Sequence, residues 1–397
     1  MISPTATLSK PTNAAASNMI SYVFVATLPQ AKSSTELDFA YEKLCRALPK
    51  DAVLVHLDAV DAISLWRAAG TYIQNTEKVK SPGDRCCLLL CSRFLRLTPV
   101  DIDALEAECI ARNTAVVAPS NRQTFSLPHP DYFTIRGLER YKGKLAREAT
   151  FEVTADDAMS AVCAPILALS NEPEGMVMTC LPTTFTHDFG AYHAGNRADI
   201  IDLIPDNTRN VLDVGGGEGL FLRSLSLALG CQTHLCEVSP AICEVAKTQG
   251  NANYVWPGDF LEVSFDRSFD CITFLDVLEH VNAPDRYLQR AVDLLTPAGL
   301  IICSIPNVGH WSCVLDLIEG RWDYAPAGIH CATHVRFFTP HSIQSMFRDL
   351  GLEVIEWVEV KAPAPDTLDL SMLQRNFNVN QTSLDTYAIH AAVRPRK

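Results

Sequence analysis

The segment Val211-Leu212-Asp213-Val214-Gly215-Gly216-Gly217-Glu218-Gly219 constrains this chain more than any other. A short run of strand pattern meets glycines at 215, 217 and 219, and a helical pattern follows. Glycine lets the backbone turn sharply and approach a ligand with no Cβ in the way. Free N–H groups at the start of the next helix favour a carboxylate or phosphate. A tight strand-to-helix turn without a ligand uses the same glycines, so the neighbouring residues must decide. The spacing is G-x-G-x-G with Leu220 next, whereas the dinucleotide fingerprint is G-x-G-x-x-G, which argues against a nicotinamide dinucleotide.

Three acids keep step with the glycines. Asp213 stands at the strand end. Glu237 ends the next strand, where an acid accepts both ribose hydroxyls of a nucleoside. Asp259, in Pro257-Gly258-Asp259-Phe260, follows the third strand and is placed to reach an adenine amino group.

The segment lies in the second of two alternating series. Within the first, the pattern predicts strands at 21–28, 52–57, 85–91 and 115–118. Helices are expected at 34–48, 59–77 and 101–112. That order implies a parallel sheet with helical cover. Residues 121–182 are irregular and proline-rich. In the second series, strands are expected at 210–214, 233–237, 269–275, 300–305, 353–360 and 386–393. Helices are expected at 197–204, 218–229, 240–248, 284–295 and 341–350. The domain expectation is a disordered leader over 1–18, an α/β domain over 19–178 and a second α/β domain over 185–397.

Composition narrows the partners. The 397 residues carry a formal net charge of −13 with no run of Lys and Arg, which argues against a nucleic acid. A small molecule or glycan acceptor fits better. The apolar run 22–28 is too short to span a bilayer. The 14 cysteines sit mostly in apolar runs without Cys-x-x-Cys spacing, so reduced, structural thiols and a cytoplasmic location are expected.

With these motifs in place, residues 185–395 resemble a class I S-adenosylmethionine (SAM)-dependent methyltransferase. Val211–Gly219 resembles the first motif of that family, which usually has Cys or Ser where Gly216 stands. Glu237 matches its ribose acid, and Gly258-Asp259-Phe260 its adenine motif. The run Phe269–Val281, with Asp276-Val277-Leu278-Glu279-His280, is similar to the fourth-strand motif of ubiquinone-type O-methyltransferases. The resemblance implies a Rossmann-like, seven-stranded sheet whose last strand is antiparallel, preceded here by a second α/β domain. It also implies SAM as cofactor, held by Tyr192, Arg197, Asp213, Gly215, Gly217, Gly219, Glu237, Val238, Asp259, Phe260, Asp276 and Val277.

The methyl acceptor is expected under an insertion at 306–339, because ligands of open α/β sheets bind beyond the carboxyl ends of strands. Its motifs are similar to those of methyltransferases from bacterial glycan and surface-polysaccharide gene sets, although Cys331-Ala332 replaces their Asp-Arg. Asn307, Trp311, Trp322, Tyr324 and Arg336 are its candidate substrate residues. A hydroxyl acceptor needs a base, for which His310, His280 and His334 are the candidates; each is also a residue that can simply pack. His330, Cys331 and His334 lie close in sequence, but no further ligand completes a set, so no metal is expected.

Residues 86–120 resemble glycosyltransferases of the GT-A type, yet Cys91-Ser92-Arg93 stands where those place an acid pair. Asp101 and Asp103 fall at a helix start, where capping is the simpler role. Substrate presentation or dimerisation is therefore expected of this domain, with a homodimer left open. The functional expectation is methyl transfer to a hydroxyl of a sugar, glycan or related metabolite. The alternatives are an N- or O-methyltransferase of natural products and a SAM-binding regulatory or scaffold protein.

Overall fold

Short apolar runs separated by amphipathic stretches fold into two seven-stranded sheets in a computed structural model of the chain. The structure describes residues 20–27, 35–58, 62–75, 87–92, 96–120, 127, 133–154, 161–165, 168–169, 171, 175–187, 195–365, 368–377 and 379–396. The leader expected over 1–18, Tyr192 and Arg93 lie outside these residues. The chain divides into two compact units. The first reaches Asp188 and the second runs from Phe189, with Lys32–Phe39 and Asp131–Tyr141 grouped with the second. Among the described residues, no helix is long and apolar enough to cross a membrane.

The strands of the first unit are β1 (Ile20–Thr27), β2 (Val53–Asp58), β3 (Cys87–Ser92), β4 (Val116–Ala118), β5 (Phe151–Thr154), β6 (Ala161–Pro165) and β7 (Val177–Cys180). Its helices include α2 (Ala62–Asn75) and α3 (Pro99–Arg112), whereas α1 (Thr35–Ala47) and α4 (Ile135–Leu145) are divided between the two units. The sheet order is β2-β1-β3-β6-β4-β7-β5. This corrects the parallel sheet expected from the sequence. β1 pairs in parallel with β2 and β3, but β6 enters between β3 and β4 antiparallel to both. Ala161, Val162, Cys163 and Ala164 of β6 are buried on both faces, so the short strand is held by neighbours distant in sequence rather than by its own pattern. Asp101 caps α3, accepting hydrogen bonds from the Thr98 N–H and hydroxyl.

The second unit contains β8 (Asn210–Val214), β9 (Gln232–Glu237), β10 (Tyr254–Pro257), β11 (Phe269–Leu275), β12 (Leu295–Pro306), β13 (Leu352–Lys361) and β14 (Thr386–Pro395). Its helices are α5 (Leu220–Leu229), α6 (Pro240–Thr248), α7 (Pro284–Leu294), α8 (Trp311–Ile318), α9 (Pro340–Asp349), α10 (Ser371–Asn376) and α11 (Gln381–Asp385). A 3-10 turn at Ala198–Leu203 stands where a helix end was expected. The order is β10-β9-β8-β11-β12-β14-β13. β8 to β12 run parallel, and β14 is antiparallel to β12 and β13, as the sequence led us to expect. Leu212, Ile272, Phe274, Ile301 and Ile389 form the centre of the core beneath the strand ends. Burial of each such side chain contributes roughly 1.5–3 kcal/mol. That core holds the carboxyl ends of β8, β9 and β11 in one row, and the candidate site lies along it.

Candidate functional site

The glycine turn between β8 and α5 is built by backbone sign and by space. Gly215, Gly217 and Gly219 have φ of 69°, 57° and 77°, a region that other residues enter at a cost. Gly216 is required for a different reason. A Cβ there would stand 2.1 Å from Asp213 Oδ2 and 2.8 Å from Leu235 Cδ1. A side chain at this position would require the Asp213 carboxylate and the Leu235 methyl to shift.

A cavity of about 930 Å³ opens at this turn. Of the expected cofactor residues, Arg197, Asp213, Gly215, Gly217, Glu237, Val238, Asp259, Phe260, Asp276 and Val277 line it. Gly219 does not; it caps α5 with its backbone. Glu237 is buried at the end of β9, where Oε2 accepts from the Gly217 N–H at 3.2 Å and Oε1 from the Ser239 N–H at 2.9 Å. Those two amides fix the carboxylate at the mouth of the turn. Asp259 Oδ1 accepts from the Tyr287 hydroxyl at 2.9 Å and the Leu261 N–H at 2.8 Å.

Asp213 is 1% exposed. Its Oδ1 accepts from the Thr273 hydroxyl at 2.6 Å, and its Oδ2 is buried without a hydrogen-bond partner. Burial pushes its pKa up to about 7, against the opposing effects of the Thr273 hydroxyl and the Arg197 charge. An unpaired buried oxygen beneath a glycine turn suits a ligand that brings its own donor or positive charge. The residues fit a nucleoside-bearing, cationic cofactor.

The candidate bases separate clearly. His280, one residue beyond the buried Glu279, lines the cavity. Its Nδ1 lies 2.9 Å from the Thr333 hydroxyl, and its ring meets that of His334 edge to face at 4.6 Å between centroids. The His334 Nδ1–H donates to the Ile329 carbonyl at 3.0 Å. His310 is placed elsewhere. It is fully buried at the start of α8, its Nε2–H donates to the Ala362 carbonyl, and its Nδ1 meets the Ser312 hydroxyl. Burial lowers its pKa to about 4, and it is not in the cavity wall.

The candidate substrate residues likewise divide. Asn307 is buried, with Nδ2 donating to the Ser383 and Thr386 carbonyls, so it fastens the end of β12 to the start of β14. Trp311 packs with Leu370, Leu373 and Leu384, away from the cavity wall. Trp322 lies against His330 with the rings tilted by 34° and 4.1 Å between centroids, and Tyr324 is exposed. Arg336 alone of the five reaches a wall residue, donating to the Asn282 carbonyl. Sequence reasoning passed over Ser239, Asn282, Arg286 and Tyr287, which also line the cavity. Tyr287 carried a usable signal, because it falls in the first turn of α7 just past the β11 motif.

A family model described as a methyltransferase domain matches residues 185–357. A ubiquinone biosynthesis O-methyltransferase of Cereibacter sphaeroides is 27% identical over 166 residues, which is 40% of this chain and 66% of the relative. The chain thus covers just under two thirds of that relative's length. One from Hydrogenovibrio crunogenus is 28% identical over 177 residues, covering 42% of this chain and 72% of the relative. The solved magnesium protoporphyrin IX methyltransferase of Synechocystis PCC 6803 aligns at a TM-score of 0.35 and 16% identity, over 50% of this chain and 79% of that one. With the strand order, the glycine turn and the acids in register, residues 185–357 belong to a class I SAM-dependent methyltransferase domain.

Proposed function

We propose that this protein is a SAM-dependent O-methyltransferase acting on a hydroxyl of a small, hydroxylated metabolite of the sugar or glycan class. The observation that carries the reading is His280 in the wall of the same cavity as Asp213 and Glu237. Bound there, SAM supplies a methyl group on a positively charged sulfur, which becomes a neutral thioether when the methyl leaves. Glu237 holds the ribose hydroxyls, and Asp213 balances the positive charge of the cofactor. His280 would accept the proton of the acceptor hydroxyl as the new O–CH3 bond forms and the methyl–sulfur bond breaks. Positioning the acceptor oxygen within about 3–3.5 Å of the methyl accounts for several kcal/mol of the barrier. Polar side chains of the 306–339 insertion select the acceptor, with Arg336 bonded to the wall residue Asn282 and Thr333 to the wall residue His280.

The test is a titration of the full chain with SAM, followed by incubation with labelled SAM and panels of sugars and phenols. Saturable binding and label in a methyl ether are expected. Binding without transfer to any hydroxyl compound would favour a SAM-binding scaffold instead.

A further inference from the structure

His280 Nδ1 stands at the end of a row of contacts whose donors and acceptors have one consistent order. The row starts at the Pro326 carbonyl, which can only accept. The Cys331 thiol reaches it at 3.3 Å, so the single S–H proton is directed to Pro326. Cys331 Sγ is also 3.3 Å from the Thr333 hydroxyl. With its own proton committed, the sulfur accepts there and the Thr333 O–H donates. The Thr333 oxygen then offers a lone pair to His280 Nδ1, 2.9 Å away. His280 Nδ1 therefore carries the ring proton, and in the neutral imidazole Nε2 is the basic nitrogen.

The backbone keeps this order in place. The Cys331 N–H donates to the Gly328 carbonyl at 2.9 Å, in a turn that Gly328 enters with φ of 80°. On either side of Cys331, the Ala325 N–H donates to the His330 carbonyl and the Ala332 N–H to the Ala325 carbonyl. The Val335 and Arg336 N–H groups both donate to the carbonyl of Glu279, the residue before His280. Residues 325–336 are thereby laid against the end of the β11 motif. Cys331 is buried, so water does not compete for its thiol. Direction matters here more than strength, because the hydrogen bond at one ring nitrogen decides which nitrogen of a histidine is the base.

We propose that Thr333 and Cys331 are positioning residues for methyl transfer, fixing His280 in the tautomer whose Nε2 takes the acceptor proton. His280 belongs to the cavity wall. In the transfer the acceptor O–H bond breaks and its proton forms Nε2–H. The oxygen makes the new bond to the methyl carbon, and the methyl–sulfur bond breaks with its electron pair left on sulfur. The imidazolium is steadied through Nδ1–H by the Thr333 oxygen, and its extra proton then passes to solvent water. Both positioning residues lie in the 306–339 insertion, so the segment that selects the acceptor also sets the base. The catalytic role rests on the O-methyltransferase reading; the tautomer rests on the contacts alone.

The test has two readouts on the full chain. The first is ring-nitrogen NMR of isotopically labelled histidines in mildly alkaline buffer, where imidazole is neutral, with His280→Gln identifying the signal. A proton on Nδ1 is expected, and Thr333→Val should shift it towards Nε2. A proton on Nε2 in the unaltered chain, or no shift in Thr333→Val, overturns the assignment. The second readout is kcat. Thr333→Val and Cys331→Ala should each lower it about tenfold or more, since a base in the wrong tautomer loses most of its effect. SAM affinity should hold in both, which also shows that they are folded. Thr333→Ser and Cys331→Ser keep a donor and an acceptor and should retain most of the rate. Equal kcat in Thr333→Val and Thr333→Ser would overturn the positioning role. A proton on Nδ1 in a chain that methylates no hydroxyl compound would uphold the tautomer and remove the O-methyltransferase reading.

Discussion

Arg197 and Asp276 are joined across the mouth of the cavity, each on a left-handed backbone. Arg197 has φ 40° and Asp276 has φ 58°, and Nη1 of the arginine donates to Oδ2 of the aspartate at 2.5 Å. Arg197 Nη2 donates to the Ser304 hydroxyl at 3.0 Å and approaches His390 Nε2 at 3.1 Å. The Ser304 hydroxyl in turn donates to Asp276 Oδ1 at 2.8 Å. The clasp therefore ties the segment before β8 to the ends of β11 and β12 and to the middle of β14, and holds two residues in a conformation they would otherwise avoid.

Breaking the clasp should loosen the site before it unfolds the domain. Arg197→Ala is expected to cost about 1 kcal/mol of stability, because the pair is partly solvated. Asp276→Asn should be milder than Asp276→Ala, since asparagine tolerates positive φ. Thermal unfolding of the three variants provides the comparison, and equal losses for Asn and Ala would refute the strain assigned to Asp276.

Asp213 makes a pH-dependent contribution of known sign. Unfolded, it ionises near 3.8; folded, burial keeps its proton until about 7. Its contribution to stability is complete below pH 4 or so and is lost as pH rises through about 7. SAM affinity should move the opposite way over this window, because a cationic ligand prefers the ionised carboxylate. In Asp213→Asn both trends should flatten. Denaturation and SAM titrations on either side of neutrality measure them, and an unchanged profile in the variant would assign the trends to another group.

Glu237→Ala removes the acceptor proposed for the ribose hydroxyls and leaves the Gly217 and Ser239 amides without their partner. SAM affinity should fall about tenfold to a hundredfold, from loss of charge-assisted hydrogen bonds. Calorimetric titration reads this directly, and unaltered affinity would place the cofactor elsewhere.

His280→Ala should reduce kcat by about two to four orders of magnitude with little change in SAM affinity. A loss confined to KM would make His280 a substrate contact only.

For His310→Ala the expectation is inverted. Loss of its buried hydrogen bonds should cost about 1–3 kcal/mol of stability, while methyl transfer by the folded protein persists at moderate temperature. Thermal melts paired with activity below the transition distinguish the two effects, and abolished transfer by a folded variant would return His310 to the catalytic group.

The strands nearest the cavity were the easiest to read. β8 and β11 match their sequence expectations to the residue, as does α6, because continuous apolar runs end at Gly, Ser and Pro signals with little ambiguity. The acids at their ends followed by spacing. β6 was not legible, since Ala161–Pro165 is short and gains its place only by pairing with β3 and β4. Glu279 was passed over for a similar reason. In sequence it is one acid in an amphipathic stretch, and its burial depends on residues 329–336 folding back over it. His310 misled because it stands beside aromatic residues that pack in the interior rather than open to ligand.

The antiparallel entry of β6 has a consequence for how the chain leaves the ribosome. β1, β2 and β3 emerge early and can pair at once, but the outer edge of β3, from Leu88 to Cys91, stays bare until Ala161–Pro165 has been made. An apolar edge held open through so much synthesis invites pairing with a neighbouring nascent chain. Fragments ending before Pro165 should accordingly collect in aggregates, and the first unit should become recoverable in solution only once β6 has closed the gap.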